Sequence, residues 1–553
     1  MKTEIQTLKD ILPEKTLKTR VPQEEVARVV KHAPSRYRNE IARYIVHRNL
    51  NCKLCGKCAE LCPHGVHVRK PGYKYFAEPK NHLCTGPACE RGSSLVTRDS
   101  EAVTAAPPST FGGCHTTTGQ KTEGRNSRYC VAECPQGALQ LKDNPMYKTL
   151  GDYRWTADLI MATWKMAETG DVPSEDYGYS YECGNSGGGF DKLRFKFPDK
   201  PPVKLNEDEI DTSVVLNKRD DGRPKIKIDV PWYGGGMSFG SVSNVTQLSK
   251  ARAAVAWNTF TCTGEGGYME RMRPYDDHVI TQVATGLFGV REETIQRVPI
   301  VEFKYAQGAK PGLGGHLLGD KNTVAVAKMR EAVLGISLFS PFPFHSVYSI
   351  EDHMKHIDWI KHVNRRALIS TKVSTPNDVD MVAVGSYSAG THIVHIDGGY
   401  GGTGAAPDIA KKNIAMPIEY AIGKVHNFLA AEGVRDKVTL IASGGIRSAF
   451  DIAKAIALGA DGVVIGTAEM VALECVRCSR CESGRGCPRG IATTDPELAK
   501  KMDLEWGAQR IINLYNAWHK QIVRILQRFG MRSISELRGR TDLLMHLDYE
   551  NNK

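Results

Sequence analysis

From about residue 228 the chain alternates two periodicities. Short runs rich in β-branched and apolar residues recur as "IKIDVPW", "TFTC", "HVITQVA", "IVEFKYA", "GISLFS", "RALISTKV", "THIVHID", "KVTLIAS" and "GVVIG". Between several of them, segments such as "SVSNVTQLSKARAAVAWN" and "DIAKAIALGA" place small and apolar residues at helical spacing. Strand and helix in alternation over ~250 residues predict a parallel sheet with covering helices, open or closed. Nine candidate strands is one more than an eight-stranded barrel needs, so one of them belongs to a loop. The stretch "IINLYNAWHKQIVRILQRFG" sets apolar residues at 511, 515, 518, 522, 525 and 529, a helix that Gly530 ends within a helical tail over 501–553. At the other end, "PQEEVARVVKHA" and "SRYRNEIARYIVHRN" read as helices in a segment 1–48. Two stretches lack any period. Residues 91–128, rich in Gly, Ser and Thr, read as a loop insertion, and 146–227 as a polar connector.

Length adds that 553 residues are too many for one domain. No apolar run approaches the ~20 residues of a membrane span, and the mixed-charge start is no secretory signal, so a cytoplasmic chain is expected. The net charge of +11 does not make a nucleic-acid protein, because its basic residues form no stripe interleaved with aromatics. Cysteine changes the picture most. Of 15, nine lie in 52–134 and four in 475–487, with only Cys183 and Cys262 apart. Clusters of this kind in a cytoplasmic chain point to metal rather than disulfides. "CKLCGKCAELCP" has the CxxCxxCxxxCP spacing, whose fourth cysteine ligates the other cluster in two-cluster ferredoxins. With "HLCTGPACERG" and "RYCVAECPQGAL" as a stretched second motif, a crossing follows. Cys52, Cys55, Cys58 and Cys134 hold one 4Fe-4S cluster, and Cys62, Cys84, Cys89 and Cys130 hold another. Residues 49–145 then form a ferredoxin-like α+β iron–sulfur module, in which Cys114 is spare, with substitution for Cys84 or Cys89 as the alternative.

Within the barrel candidate, 228–500, "IASGGIRS" ends a strand in Gly444-Gly445 and turns toward a helix near Ser448, and "GVVIGTAEM" ends the next in Gly466-Thr467. Glycine lets backbone N–H groups approach a phosphate, and a helix start adds dipole and free donors. Two consecutive strands ending so match the phosphate site of a (β/α)8 TIM barrel.

The strings "GGGMSFGSVS", "CTGEGGY", "ITQVATGLFGV", "KYAQGAKPGLGGHLLGDKN", "YSIEDH", "IDGGYGGTGAAP" and "SGGIRS", in this order, resemble the FMN-binding synthase domain of glutamate synthase, and "ELRGRTDLL" (536–544) its tail. The N-terminal cysteine motifs suggest the archaeal-type arrangement. The resemblance implies FMN held by Met237, Ser238, Gln282, Lys372, Gly444, Gly445, Gly466 and Thr467. It implies Glu265 near the reacting atoms, and Lys310 and Arg330 on the carboxylates of 2-oxoglutarate; a lysine and a bidentate arginine also suit a dicarboxylate chemically. The family's common QGAKPGEGGQLPG is altered here, with Leu313 for the glutamate and His316 for the glutamine, and His345 matches a family histidine. The family's 3Fe-4S loop, C-x5-C-x4-C, is also altered. Cys475 and Cys481 keep the first gap, Cys487 lies one residue further, and Cys478 is added. A 4Fe-4S cluster on Cys475, Cys478, Cys481 and Cys487 is expected, with 3Fe-4S and an idle Cys478 as the alternative.

The implied reaction is reductive amination of 2-oxoglutarate, through 2-iminoglutarate, to glutamate. No cysteine at position 2 provides a glutaminase, and no GxGxxG follows a strand, so ammonia and electrons are expected from separate chains: a glutaminase, a GXGXG-type subunit, and ferredoxin or an NAD(P)H-oxidising subunit. N-methylglutamate synthase and an FMN/iron–sulfur electron-transfer subunit are the alternatives.

Overall fold

Pairing between distant segments, not local periodicity, organises the cysteine-rich region. The computed structural model describes residues 27–36, 41–69, 72, 75–86, 89, 130–174, 179–184, 189–342, 344–401, 406–407, 409–411, 413–482 and 485–550. They divide into two units, one drawn from 35–162 and 173–184, the other from 1–34, 163–172 and 185–553. In the first, strand β1 (Tyr44–Arg48) pairs antiparallel with β2 (Leu139–Asp143), from Tyr44 opposite Asp143 to Arg48 opposite Leu139. Over Tyr44–Arg48 the helix expected from the sequence is therefore corrected to a strand, while residues 37–40 of that stretch lie outside the described residues. Successive side chains of a strand face opposite ways, and Val46 and Leu139 turn inward with Val66 to form a small core against which Cys58, Cys62, Cys84, Cys130 and Cys134 pack. Residues 27–35 are not helical either. A short helix, α1 (Lys57–Leu61), continues the first cysteine motif. The 91–128 insertion and Cys114 lie outside the described residues.

The second unit is built on eight parallel strands: β3 (Trp232–Gly234), β4 (Thr261–Cys262), β5 (Val279–Val283), β6 (Ile300–Lys304), β7 (Leu368–Ser374), β8 (Ile393–Asp397), β9 (Thr439–Ser443) and β10 (Gly462–Ile465). Their order is β3-β10-β9-β8-β7-β6-β5-β4. The Gly234 N–H donates to the Phe260 carbonyl at 2.8 Å, linking the two end strands into a nearly closed barrel. The surplus strand is "GISLFS": Leu338–Ser340 pairs antiparallel with Gly315–Leu317 in a hairpin on the loop after β6. "IKIDVPW" is also displaced from its expected place. Lys227–Ile228 pairs with Val214–Val215, and the barrel strand starts only at Trp232.

Helices α2 (Asn244–Ala256), α3 (Val324–Arg330), α4 (Ala449–Ala457), α5 (Thr467–Ala472) and α6 (Leu504–Phe529) follow along the chain. Ser243 caps α2, and α6 ends as expected with Gly530 at φ 68°. α6 is part of the barrel's cover rather than a separate tail. Trp232 meets Tyr515 and Trp518 edge-on at 5.6 and 6.0 Å, and a Cβ at Gly507 would stand 2.6 Å from Ser249 Oγ on α2, so the two helices touch closely. The stretch expected to be a polar connector holds a helix, Ala157–Thr169, with Leu159, Ile160, Ala162 and Trp164 buried, and a strand, Leu193–Phe195, paired with Leu544–His546. Among the described residues no helix is long and apolar enough to cross a membrane.

Candidate functional site

Glycines line the rim where the barrel strands end. Gly444 and Gly445 hold φ of 91° and 125°, which side chains rarely adopt. Ser448 then caps α4, its hydroxyl accepting from the Asp451 N–H, and Gly466 caps α5. A Cβ at Gly466 would meet nothing within 4 Å, so open space lies in front of that backbone. Exposed Gly236 and half-buried Met237 follow β3, and a Cβ at Gly236 would stand 2.9 Å from Gln282 Nε2. These residues fit an anion with a planar ring system beside it: backbone without side chains where a phosphate would lie, and an amide under a glycine floor.

Charge concentrates around Glu265. Lys304, at the end of β6, donates to Glu265 Oε1 at 3.0 Å, while the buried Oε2 has no hydrogen-bond partner. Arg330, the last residue of α3, donates from one Nη to Ser238 Oγ at 3.0 Å and the Phe239 carbonyl at 3.2 Å, leaving its buried Nε unpartnered. Burial lowers its pKa to about 10, with Glu265 opposing the shift, so it stays charged near neutrality. Gly266 must be glycine here, because a Cβ would lie 2.6 Å from Arg330 Nη2 and 2.7 Å from Ser238 Cβ. Lys310 is buried, and its ammonium donates to His316 Nδ1 at 2.8 Å. Burial pulls Lys310 down to about 8, Glu482 and Glu265 partly opposing it, and lowers His316 in the same direction. The hairpin sets His316 opposite Phe339. His345 is exposed.

Inside the barrel runs a polar chain that the sequence reading missed. Gln282 donates to Glu302 at 2.6 Å; Ser370 and His395 meet the other Glu302 oxygen at 2.9 and 3.0 Å; His395 Nε2 contacts Ser443 at 2.7 Å. Ser443 donates to Asp397 at 2.6 Å, and Asp397 pairs with Lys372 at 3.3 Å. Burial alone would raise the Glu302 carboxyl, yet His395, Lys372 and Gln282 hold it down to about 2. Burial opposes the charge on Lys372 as well, but Asp397 and Glu302 raise its pKa. Lys372 is thus a salt-bridged strand residue whose ammonium is kept charged. The missed signal was polar residues at every second position of β6 and β8 ("VEFK", "HID"), a pattern barrel strands use to fill their interior.

The N-terminal cysteines surround two cavities. One is lined by Cys52, Cys55, Cys58 and Cys134 together with Arg48 and Phe76. The other is lined by Cys62, Cys84, Cys89 and Cys130 together with Val46 and Val66. Among the described residues no group of three His, Cys, Asp or Glu stands close enough to hold a metal ion. Leu54 at φ 58° and Gly56 at φ 87° wind the first motif around its cavity. Burial pushes the Cys130 thiol up to about 12; at Cys134, burial is outweighed by the N–H groups of Gln136, Ala138 and Leu139, and the pKa falls. The barrel's own cysteine loop shows a similar winding, with Glu474, Arg477 and Ser479 all at positive φ. Burial pushes Cys475 up to about 11, with Cys481 and Cys487 near enough to add to the shift, while Cys478 is exposed. Lys321, beyond the hairpin's first strand, donates to the Cys481 carbonyl and pairs with Glu482 at 3.4 Å, tying this loop to the Lys310–His316 segment.

A family profile described as a conserved region in glutamate synthase matches residues 190–532. The archaeal glutamate synthase [NADPH] of Methanocaldococcus jannaschii is 38% identical over 74% of this chain and 85% of that protein. The archaeal-type glutamate synthase [NADPH] of Thermotoga maritima is 36% identical over 91% and 94%. Among solved structures, the flavin-binding domain of baker's yeast flavocytochrome b2 is similar at a TM-score of 0.40 and 16% identity, over 73% of this chain and 81% of that one.

Proposed function

The chain belongs to the glutamate synthase family, and from that premise we propose that its barrel converts 2-oxoglutarate and ammonia to glutamate. The observation that carries the reading is the meeting of Lys310, Arg330 and Lys304 around Glu265 on a rim of glycines. Cations spaced about a half-buried carboxylate suit a small dicarboxylate, and a chain that only relayed electrons would need none of them. The Arg330 fork, fixed by Ser238 and Phe239, receives one carboxylate of the keto acid, and the Lys310 ammonium, seated against His316, receives the other. Glu265 Oε2, without a partner while Lys304 holds Oε1, accepts an N–H of the incoming amine. Met237, Ser238, Gln282 and Lys372 would hold the ring of a flavin, and Gly444, Gly445, Gly466 and Thr467 its phosphate.

When bound, FMN supplies hydride chemistry and iron–sulfur clusters supply single-electron relay. The two N-terminal quartets would each hold a 4Fe-4S cluster in a ferredoxin-like module, and Cys475, Cys478, Cys481 and Cys487 a third. Ammonia would come from a separate glutaminase chain, and electrons from ferredoxin or an NAD(P)H-oxidising subunit, with a GXGXG-type chain as a further partner. The test is anaerobic incubation of the loaded protein with reduced ferredoxin, 2-oxoglutarate and ammonia, glutamine or methylamine, with products identified by mass spectrometry. Glutamate from ammonia supports the reading. Reduction without any amino-acid product would make the chain a relay, and N-methylglutamate alone would reassign the amine.

A further inference from the structure

A hydrogen-bonded bridge spans the two N-terminal cysteine quartets. Arg48, the last residue of β1, lays its guanidinium over the Phe76 ring at 4.2 Å from the centroid. From there one Nη reaches Cys58 Sγ at 3.8 Å and His67 Nδ1 at 3.3 Å. His67 is buried, and its Nε2 stands 3.3 Å from Cys130 Sγ. Cys58 lines one cavity and Cys130 the other.

The chemistry of the bridge fixes its protons. Arginine can only donate, so His67 Nδ1 must accept, which leaves the ring proton on Nε2, aimed at the Cys130 sulfur. Both sulfurs therefore receive a hydrogen bond, one from a cation and one from a neutral imidazole that the cation polarises. Hydrogen bonds to ligand sulfur and nearby positive charge stabilise the more negative, reduced state of a cluster and raise its potential.

We propose that Arg48 and His67 are positioning residues that set the reduction potentials of the two clusters held by these quartets. The inference rests on the two-cluster reading of this unit. It also predicts an asymmetry. Arg48 touches one quartet and polarises the histidine that touches the other, so its loss lowers both potentials. Loss of His67 lowers mainly that of the Cys130 cluster.

The experiment is an EPR-monitored redox titration of the full-length, iron- and sulfide-loaded protein, with iron content measured in parallel. In Arg48→Met both N-terminal steps should fall, the larger by tenfold or more in the one-electron equilibrium, about 59 mV. In His67→Phe one step should fall by a similar amount, and His67→Gln, which keeps an N–H donor, should restore most of it. Full iron with potentials unchanged in Arg48→Met and His67→Phe overturns the proposal. Should Arg48→Met fail to load, equal potentials for His67→Phe and His67→Gln overturn it instead. A wild-type protein that loads with iron but shows no pair of N-terminal four-iron steps overturns the two-cluster reading itself, and the bridge with it.

Discussion

Lys310 offers a sharp test of the dicarboxylate site, because its charge is held only weakly. The buried ammonium has a pKa of about 8, and its hydrogen-bond partner is the neutral nitrogen of His316 rather than an anion. In the proposed site a 2-oxoglutarate carboxylate would supply the missing counter-charge, so binding would need the protonated form. With a pKa near 8, about nine-tenths of Lys310 is charged at pH 7 and about a tenth at pH 9. The Kd for 2-oxoglutarate should therefore rise about tenfold between those values, and above pH 8 binding should take up a proton. The rise has a ceiling. A charge-assisted hydrogen bond contributes roughly 1.5–3 kcal/mol, so the neutral amine costs about ten- to 150-fold at most. Arg330, lowered only to about 10, does not interfere over this range. Isothermal calorimetry of binding, in buffers of different ionisation enthalpy, reads both Kd and proton uptake without the titration of ammonia that turnover would add. Lys310→Met should bind about as weakly at pH 7 as the wild type does well above pH 9, with no pH dependence. A wild-type Kd that is flat from pH 7 to 9 would refute the argument from burial, and a Lys310→Met variant that binds normally would remove Lys310 from the site.

Other consequences are direct. Gly266→Ala places a Cβ 2.6 Å from Arg330 Nη2, so the guanidinium must move; overpacking costs about 1–3 kcal/mol, and calorimetry should show a Kd for 2-oxoglutarate about tenfold weaker or more, an unchanged Kd counting against Arg330 as a carboxylate ligand. Cys478→Ser should convert the barrel's cluster to one with an oxidised three-iron EPR signal if four thiolates hold it, whereas a spectrum identical to wild type would leave Cys478 idle. Trp518→Ala removes a buried ring packed edge-on against Trp232, and denaturant unfolding should show a loss of about 3–5 kcal/mol; a loss under about 1 kcal/mol would mean that α6 does not brace the barrel.

What could be read from the sequence depended on how local its cause was. The α6 stripe and the Gly530 stop are set by neighbours within a turn or two, and the structure follows them. A short loop can present only three thiols to one centre and must send its fourth elsewhere, and the linings place Cys52, Cys55 and Cys58 with Cys134 at one cavity and Cys62 with Cys84, Cys89 and Cys130 at the other. Tyr44–Arg48 was misread for the opposite reason. "RYIVHR" satisfies a helical spacing, and only its pairing with Leu139–Asp143, on the far side of the insertion, decides that Val46 faces inward. The same rule explains what was missed at the site. Glu302, His395 and Asp397 look like scattered charges along the chain; parallel register alone sets Glu302 beside Gln282 and Ser370, and Asp397 beside Ser443. Lys304 and Lys321 were overlooked because their partners, Glu265 and Glu482, come from loops after other strands. A family motif names the residues that touch ligands, but the charges that hold those residues in place come from register and loop packing, which no single stretch of sequence contains. The glutamine-to-histidine change at 316 shows the consequence. In the proposed site His316 would act on the substrate through Lys310, since an imidazole nitrogen accepts from the ammonium without supplying a negative charge to keep it protonated. Replacing it by the family's glutamine should therefore leave the titration of 2-oxoglutarate binding near pH 8, whereas His316→Glu should move it upward.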